Sequence, residues 1–434
     1  MAIYALINKE VIPFVCAGKR VSIEFLHERT NFQIDKLNQW LDVTDATLPT
    51  ILQAKKLAKC LHIPFAGLYM NTEDINIKAI PSIKNYRTLD GCLSIDDSGF
   101  NIAICDVLQE RDFLLEESTE LGIPVTPFSV PSCTTDNPID WANAIRHHYA
   151  IDLKDQYRCT SSRKFYLYLR EKLEQKGVFV QCFTDVPVEI VRGFAIYEHE
   201  LPIIGINDDD RPPAKSFSLI HELVHLIKRE SSVCNVMYNA TSSQREEVFC
   251  NAVAGELLVP KDALMIVLKN GGYNKPYLTD DIRLIADRFS VSKEVIIRRL
   301  LDCGKINDTE YQTYSNEFRR IIEKEREEQR LARKAGLQTG FGKSVSRDAI
   351  DRTSSVVCKM LYYGYGEELY SKRDIAQHLE IAPKHVDKFL MEVSKWNSYP
   401  YSNLRTNTLL ILRQYWHRSL QMPFRDRYTK ACGR

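Results

Sequence analysis

Several signals that would place a chain in a membrane, outside the cell or on a polyanion are missing from this sequence. It contains no run of eighteen apolar residues, so we expect no membrane-spanning helix. Its 58 basic and 57 acidic residues leave a net charge of +1, which provides no overall attraction to nucleic acid or to an anionic membrane. Lys9 and Glu10 come early and no cleavage pattern follows them, so we expect no secretory leader.

The twelve cysteines include no Cys-x-x-Cys pair. Scattered along 434 residues, they are typical of reduced core thiols and not of a disulfide framework or a zinc ribbon. A hydrophobic content of 44% suffices for packed cores, and the length predicts about two to four domains. We therefore expect a cytoplasmic protein of several domains.

The most informative motif is the pentapeptide HELVH at residues 221–225, inside an apolar stretch. Positions i and i+4 lie on the same face of an α-helix, so His221 and His225 can bind one zinc ion. Glu222 lies beside them, where its carboxylate can take a proton from a water molecule. This arrangement is the metallopeptidase signature and predicts hydrolysis of a peptide bond. By residue frequencies alone, such a pentapeptide arises in roughly one chain in a hundred of this length.

The alternative to a metal site is a buried helix with two hydrogen-bonded histidines. A hydrolytic zinc ion needs three protein ligands, and a second helical stretch at 245–260 supplies a candidate third. Glu247 would complete a His₂Glu set, and Glu246 is its competitor about 100° around the helix. Glu247 is favoured because Asn251 and Ala254 share its face. From that face the Asn251 side chain could hydrogen-bond one of the metal-binding side chains without binding the metal itself.

The first 70 residues have the pattern of short helices. We expect helices at 22–29, 32–41 and 46–63, with Pro49 in the first turn of the third. Residues 22–69 resemble the helix-turn-helix domain of the XRE/Cro repressor family, whose second helix enters the major groove of double-stranded DNA. That resemblance places four residues toward the groove: Asp35, Lys36, Asn38 and Gln39. Residues 1–69 contain eight Lys or Arg against six acids, so a helical bundle that has lost DNA affinity remains an equal alternative.

The segment at 177–207 contains three predicted strands, at 177–183, 191–197 and 201–207. We expect a small antiparallel sheet, with the last strand at its edge because it contains Pro202. An edge strand beside the zinc could pair with an extended substrate backbone. The overall prediction is an α+β, mostly helical chain.

Six segments are predicted along the chain. They are an N-terminal helix-turn-helix domain at 1–75, a helical connector at 76–138, the peptidase domain at 139–306, a charged helix and linker at 307–345, a small helical domain with helix-turn-helix character at 346–396, and an unassigned tail at 397–434.

Residues from about 160 to 306 resemble the ImmA/IrrE family of metallopeptidases. The matching stretches are 217–226, 247–260 and 291–304, and the N-terminal domain, the segment at 86–88 and the segment at 383–389 resemble longer members. The resemblance implies a thermolysin-like zinc site with one Zn²⁺ per chain. It also implies a substrate, namely a helix-turn-helix repressor whose cleavage derepresses genes in stress or mobile-element control. Cys250 and Val253 stand where the family usually has Ala and Phe, at packing positions.

Two functions compete at this point. The first is a zinc endopeptidase in which His221, His225 and Glu247 bind the metal and Glu222 is the base. The second is a DNA-binding regulator whose zinc is structural or sensory. Tyr238 and His199 are candidates for stabilising the oxyanion, Mn²⁺ or Fe²⁺ could replace zinc, and the oligomeric state stays open.

Overall fold

The computed structural model of this chain describes residues 3–81, 84–85, 98–120, 125–133, 135–234, 245–335 and 344–398. The helices in these ranges are α1 (Val11–Gly18), α2 (Ile23–Thr30), α3 (Ile34–Leu41), α4 (Ile51–Cys60), α5 (Ser98–Glu120), α6 (Pro138–His148), α7 (Leu153–Arg158), α8 (Ser162–Glu174), α9 (Pro212–Ile227), α10 (Arg245–Leu258), α11 (Lys261–Gly271), α12 (Thr279–Phe289), α13 (Lys293–Asp302), α14 (Asp308–Lys334), α15 (Val345–Arg352), α16 (Ser355–Gly366), α17 (Lys372–His378) and α18 (Val386–Ser394). The strands are β1 (Lys84–Asn85), β2 (Phe179–Phe183), β3 (Gly193–Ile196), β4 (Ile203–Asn207) and β5 (Ser232–Cys234). The chain is α+β and mostly helical, as predicted.

The N-terminal helices begin and end at residues suited to those positions. The Ser22 hydroxyl accepts a hydrogen bond from the Phe25 amide at the start of α2, and Asn31 ends that helix in the left-handed conformation. Thr50 starts α4 through a capping box, so Pro49 precedes the helix and does not lie in its first turn. The four helices enclose a core of their own, which includes Leu26, Leu37, Trp40 and Leu57.

Helix α5 joins this N-terminal core to the sheet. Its Ser98 hydroxyl accepts a hydrogen bond of 2.9 Å from the Ser22 amide. Two residues further on, the Phe100 ring packs against Phe194 of β3, with centroids 5.5 Å apart. The N-terminal helices therefore belong to the same compact unit as the sheet.

The five strands form one mixed sheet in the order β1-β5-β3-β4-β2. The predicted antiparallel sheet was wrong in part: β3 runs antiparallel to β4 and β5, but β2 pairs with β4 in parallel, and β1 pairs with β5 in parallel. Side-chain alternation has the same period in both kinds of pairing, so it could not distinguish them. The connection at 184–192 joins β2 to β3, which lie on opposite sides of β4 in the sheet.

The prediction that residues 201–207 form an edge strand was also wrong. Strand β4 lies between β3 and β2, and all five of its residues are buried. Pro202 is compatible with this position because it precedes the strand, where its carbonyl accepts a 2.8 Å hydrogen bond from the Phe179 amide. Within the described ranges the edges are β1 and β2.

Helix α9 is the central helix of this unit. Pro212 and Pro213 occupy its first turn, where the missing amide hydrogens cost nothing. Every residue from Lys215 to Ile227 is buried, because β3 and β4 cover one side of the helix and α8 and α10 cover others. A helix this deeply buried holds its side chains in fixed positions.

The chain divides into two compact units. One contains residues 1–110 and 127–342, and the other contains 111–126 and 343–434. In the second unit α15 to α18 pack around Ile350, Leu361, Ile375 and Phe389. The segment at 86–88, the linker at 336–342 and all but two residues of the 397–434 tail lie outside the described residues. No helix in the described ranges is long and apolar enough to span a membrane.

Candidate metal centre

His221 and His225 lie one turn apart on the buried part of α9. Neither side chain has any exposed surface. Their ring centroids are 5.0 Å apart and their Nε2 atoms are separated by 3.2 Å. The two imidazoles therefore converge on one point, as the i, i+4 spacing predicts.

Glu247 brings the third donor from α10, which packs against α9. Its Oε2 is 3.2 Å from His221 Nε2, and its Oε1 is 3.1 Å from His225 Nε2. The competing Glu246 is directed elsewhere, with its Oε1 3.4 Å from Lys228 Nζ. The structure thus brings Glu247, and not Glu246, to the two histidines.

These donors fit a tetrahedral zinc ion. Metal–ligand bonds of about 2.0–2.1 Å in tetrahedral geometry separate the ligand atoms by about 3.3 Å. The two Nε2 atoms are 3.2 Å apart, close to this value, and each lies 3.1–3.2 Å from a different oxygen of the Glu247 carboxylate. His221, His225 and Glu247 are also the one group of metal-ligating side chains found within the described part of the chain. Two imidazoles and one carboxylate leave a fourth position for water or substrate.

In both carboxylates of the site, burial raises the pKa and the neighbouring imidazoles lower it, but the net shifts have opposite directions. Burial alone would raise the pKa of Glu247, but His221 and His225 hold it well below its usual range. Glu247 is therefore ionised, as a metal ligand must be. Burial raises the pKa of Glu222 above its ordinary value, although the same two imidazoles lower it. A raised pKa suits a group that must both accept and return a proton near neutral pH.

His225 has two further neighbours on its outer nitrogen. Glu230 Oε2 lies 3.5 Å from His225 Nδ1, and Cys250 Sγ lies 3.9 Å from the same atom. A carboxylate behind a metal-binding imidazole fixes the orientation of the ring. No pattern in the sequence points to Glu230, because only the turn after α9 brings it back to His225. Burial raises the pKa of Cys250, which is consistent with a packing thiol.

Glu222 is fully buried between α9 and the sheet. Its Oε2 accepts a 3.1 Å hydrogen bond from the Ser232 hydroxyl, and its Oε1 has no hydrogen-bond partner among the described residues. A Cβ added to Gly193 would lie 3.2 Å from Glu222 Cγ, so only glycine leaves this much room. Neither Ser232 nor Gly193 was predicted, and the single sequence signal was a glycine within a strand pattern.

Asn251 lies one turn after Glu247 on α10. Its Oδ1 is buried without a hydrogen-bond partner in the described part of the chain, and it lines a cleft together with Phe217, Gly255 and Arg298. The structure therefore places Asn251 beside the ligands but shows no hydrogen bond to them, and its supporting role stays a prediction.

The two oxyanion candidates stay predictions. Tyr238 lies outside the described residues, and His199 is exposed in the segment after β3. The four residues predicted to face DNA are all exposed on α3: Asp35, Lys36, Asn38 and Gln39.

The comparison with known families bears on this site. Residues 173–301 match the family described as the IrrE N-terminal-like domain, a peptidase family designated M78. The matched range contains all three candidate ligands and Glu222, and it covers less than a third of the chain. It supports the resemblance to ImmA/IrrE proteins and indicates a peptidase domain of the metal-dependent kind. No curated protein matches this chain.

Proposed function

We propose that this protein is a zinc-dependent endopeptidase that cleaves a helix-turn-helix transcriptional repressor and thereby derepresses its genes. The observation that carries the proposal is the convergence of His221, His225 and Glu247 within 3.2 Å of one another, next to Glu222 on the same helix. This cluster lies within the region that matches a peptidase family.

The side chains have distinct roles in peptide hydrolysis. His221, His225 and Glu247 would hold the ion, and zinc in such a site lowers the pKa of a water molecule and polarises the scissile carbonyl. Glu222 accepts the proton of the attacking water and returns it to the leaving amine. Its burial excludes bulk water, which strengthens the electrostatic interactions within the site. Nitrogen and oxygen donors would also accept Mn²⁺ or Fe²⁺, and zinc is the proposed ion because three ligands with an open position are typical of zinc hydrolases.

The substrate class is proposed from the resemblance to ImmA/IrrE proteins. The helices α1–α4 form a core of their own, and if they are the predicted repressor-like domain they would suit an enzyme of repressor control.

The test compares purified wild type with Glu222→Gln. We expect about one zinc ion per chain in both proteins, and cleavage of a helix-turn-helix repressor by the wild type alone. Glutamine keeps the shape of the side chain but cannot act as the base, so zinc content should not change and thermal stability should not fall. Cleavage by Glu222→Gln at the wild-type rate would remove Glu222 from the mechanism. Absence of zinc from both proteins after metal is supplied would reject the metal site.

A second candidate function is DNA-binding regulation with a structural or sensory zinc. The exposure of all four predicted groove-facing residues on α3 favours it: Asp35, Lys36, Asn38 and Gln39. A mobility shift of duplex DNA that weakens steeply between about 50 and 200 mM salt would support this function. It would replace the first proposal if Glu222→Gln also left gene regulation intact.

A further inference from the structure

Ser232 is the described residue that hydrogen-bonds the proposed base directly. Its Oγ is 3.1 Å from Glu222 Oε2, and neither residue has exposed surface. The hydroxyl makes no other hydrogen bond to the described part of the chain, so the whole donor capacity of Ser232 is directed at the carboxylate. A buried hydrogen bond to a carboxylate is stronger than one between neutral groups.

The backbone of Ser232 is held from both sides. In the sheet Ser232 is opposite Ala195 of antiparallel β3 and opposite Lys84 of parallel β1. The Ser232 hydroxyl is therefore attached to a strand whose position the sheet determines.

The two oxygens of the Glu222 carboxylate are in different surroundings. Oε2 accepts the Ser232 hydrogen bond, whereas Oε1 has no partner among the described residues although it is buried. Gly193 lies beside the carboxylate, since a Cβ there would be 3.3 Å from Oε1. The carboxylate thus has one oxygen held and one oxygen left to exchange a proton.

We propose that Ser232 is a positioning residue for peptide hydrolysis: its hydroxyl holds Oε2 of Glu222 so that Oε1 receives the proton of the attacking water. This inference rests on the proposed peptidase function. A general base must be held within hydrogen-bond reach of the proton it removes. A displacement of about 1 Å can cost about a hundredfold in rate, so loss of the hydroxyl should reduce turnover more than substrate binding.

The test compares Ser232→Ala with Ser231→Ala as a matched control. Both variants remove a serine hydroxyl at the start of β5, but only the Ser232 hydroxyl contacts Glu222. We expect Ser232→Ala to lower kcat by about 10- to 100-fold, with KM and zinc content unchanged. Ser231→Ala should stay within about threefold of wild type. Equal losses in both variants, or no loss in Ser232→Ala, would overturn the proposal.

A second readout does not depend on cleavage. Acetohydroxamic acid must give up its hydroxyl proton to bind a metal tightly, so its affinity for the zinc-loaded protein depends on a well-placed carboxylate. We expect Ser232→Ala to weaken this binding about tenfold and Ser231→Ala to leave it unchanged. If wild type neither binds the hydroxamate nor cleaves any substrate, the peptidase function itself fails, and this inference with it. If wild type does either and Ser232→Ala matches it, only the role of Ser232 fails.

Ser232→Thr and Ser232→Val provide a pair in case the alanine variant folds poorly. They have nearly the same shape, both suit a strand, and they differ in the hydroxyl. We expect the threonine variant to retain most of the hydroxamate affinity and the valine variant to lose it. Similar affinities in the two variants would exclude a role for the hydroxyl.

Discussion

At the scale of single residues, the candidate metal centre combines a local and a distant contribution. The two histidines converge because helical periodicity places them on one face of α9. Glu247 reaches them only because α10 packs across α9, with its carboxylate spanning the 3.2 Å between the imidazole nitrogens. A ligand set of this kind binds its ion only if α9 and α10 keep their packing against each other.

The adjacent carboxylates of α10 provide a test of the ligand assignment. We expect Glu247→Gln to weaken zinc binding by at least about a hundredfold, because losing a ligand should cost more than losing a residue that supports one. Glu246→Gln should leave affinity unchanged, since Glu246 faces Lys228. Competition against a chromophoric chelator measures both variants. If Glu246→Gln lost as much zinc affinity as Glu247→Gln, the assignment of Glu247 and not Glu246 as the ligand would be wrong.

At the scale of elements, the sheet changes the expected route of a substrate. The predicted edge at β4 does not exist, because β2 and β3 cover both sides of that strand. The strands that contact Glu222 are instead β3, through Gly193, and β5, through Ser232. A substrate backbone therefore cannot pair with β4, contrary to the prediction from the sequence.

Another element-scale contact joins the N-terminal helices to α5. His62 Nδ1 lies 2.5 Å from Asp106 Oδ2, and Lys19 Nζ lies 3.5 Å from the other oxygen of the same carboxylate. Burial alone would lower the pKa of His62, but the hydrogen bond and charge of Asp106 raise it above its ordinary value. The protonated imidazole is therefore favoured in the folded protein.

This contact predicts a pH dependence of stability. Because the pKa of His62 is higher in the folded state, its contribution is complete below the unfolded value of about 6.5. It is lost as the pH rises through the folded pKa. We expect the Tm of wild type to fall relative to that of His62→Gln as the pH rises above about 6.5. Thermal unfolding at several pH values measures this difference, and parallel curves for the two proteins would contradict it.

At the scale of the whole molecule, metal binding should stabilise the folded chain. The three ligands come from two helices that converge only on folding, so the unfolded chain binds the ion poorly. At a free zinc concentration of a hundred times Kd, the expected gain is about 2.7 kcal/mol.

Thermal unfolding with excess zinc and with a chelator tests this linkage. We expect zinc to raise the Tm of wild type and of Glu222→Gln equally, because Glu222 is not a ligand. His221→Ala should show no zinc-dependent rise. A full response in His221→Ala would mean that the stabilising ion binds elsewhere.

Several features were determined by the sequence alone, because each depends on residues close together in the chain. Helical spacing predicted the convergence of His221 and His225 and the placement of Glu222. The start of α2 at Ser22 is equally local. The capping box at Thr50 is local too, but the helix was predicted to begin at residue 46. The choice of Glu247 over Glu246 was also available, from the face of α10 that each residue occupies.

Only the tertiary structure decided the strand order, the parallel pairing of β2 with β4, and the partners of Glu222 and His225. Strand order depends on which backbones meet across loops, and side-chain alternation carries no information about that. Ser232 and Gly193 approach Glu222 from separate strands, 10 residues after it and 29 before it. Their contacts exist because α9 packs beneath the sheet, and no periodicity in the sequence encodes that approach.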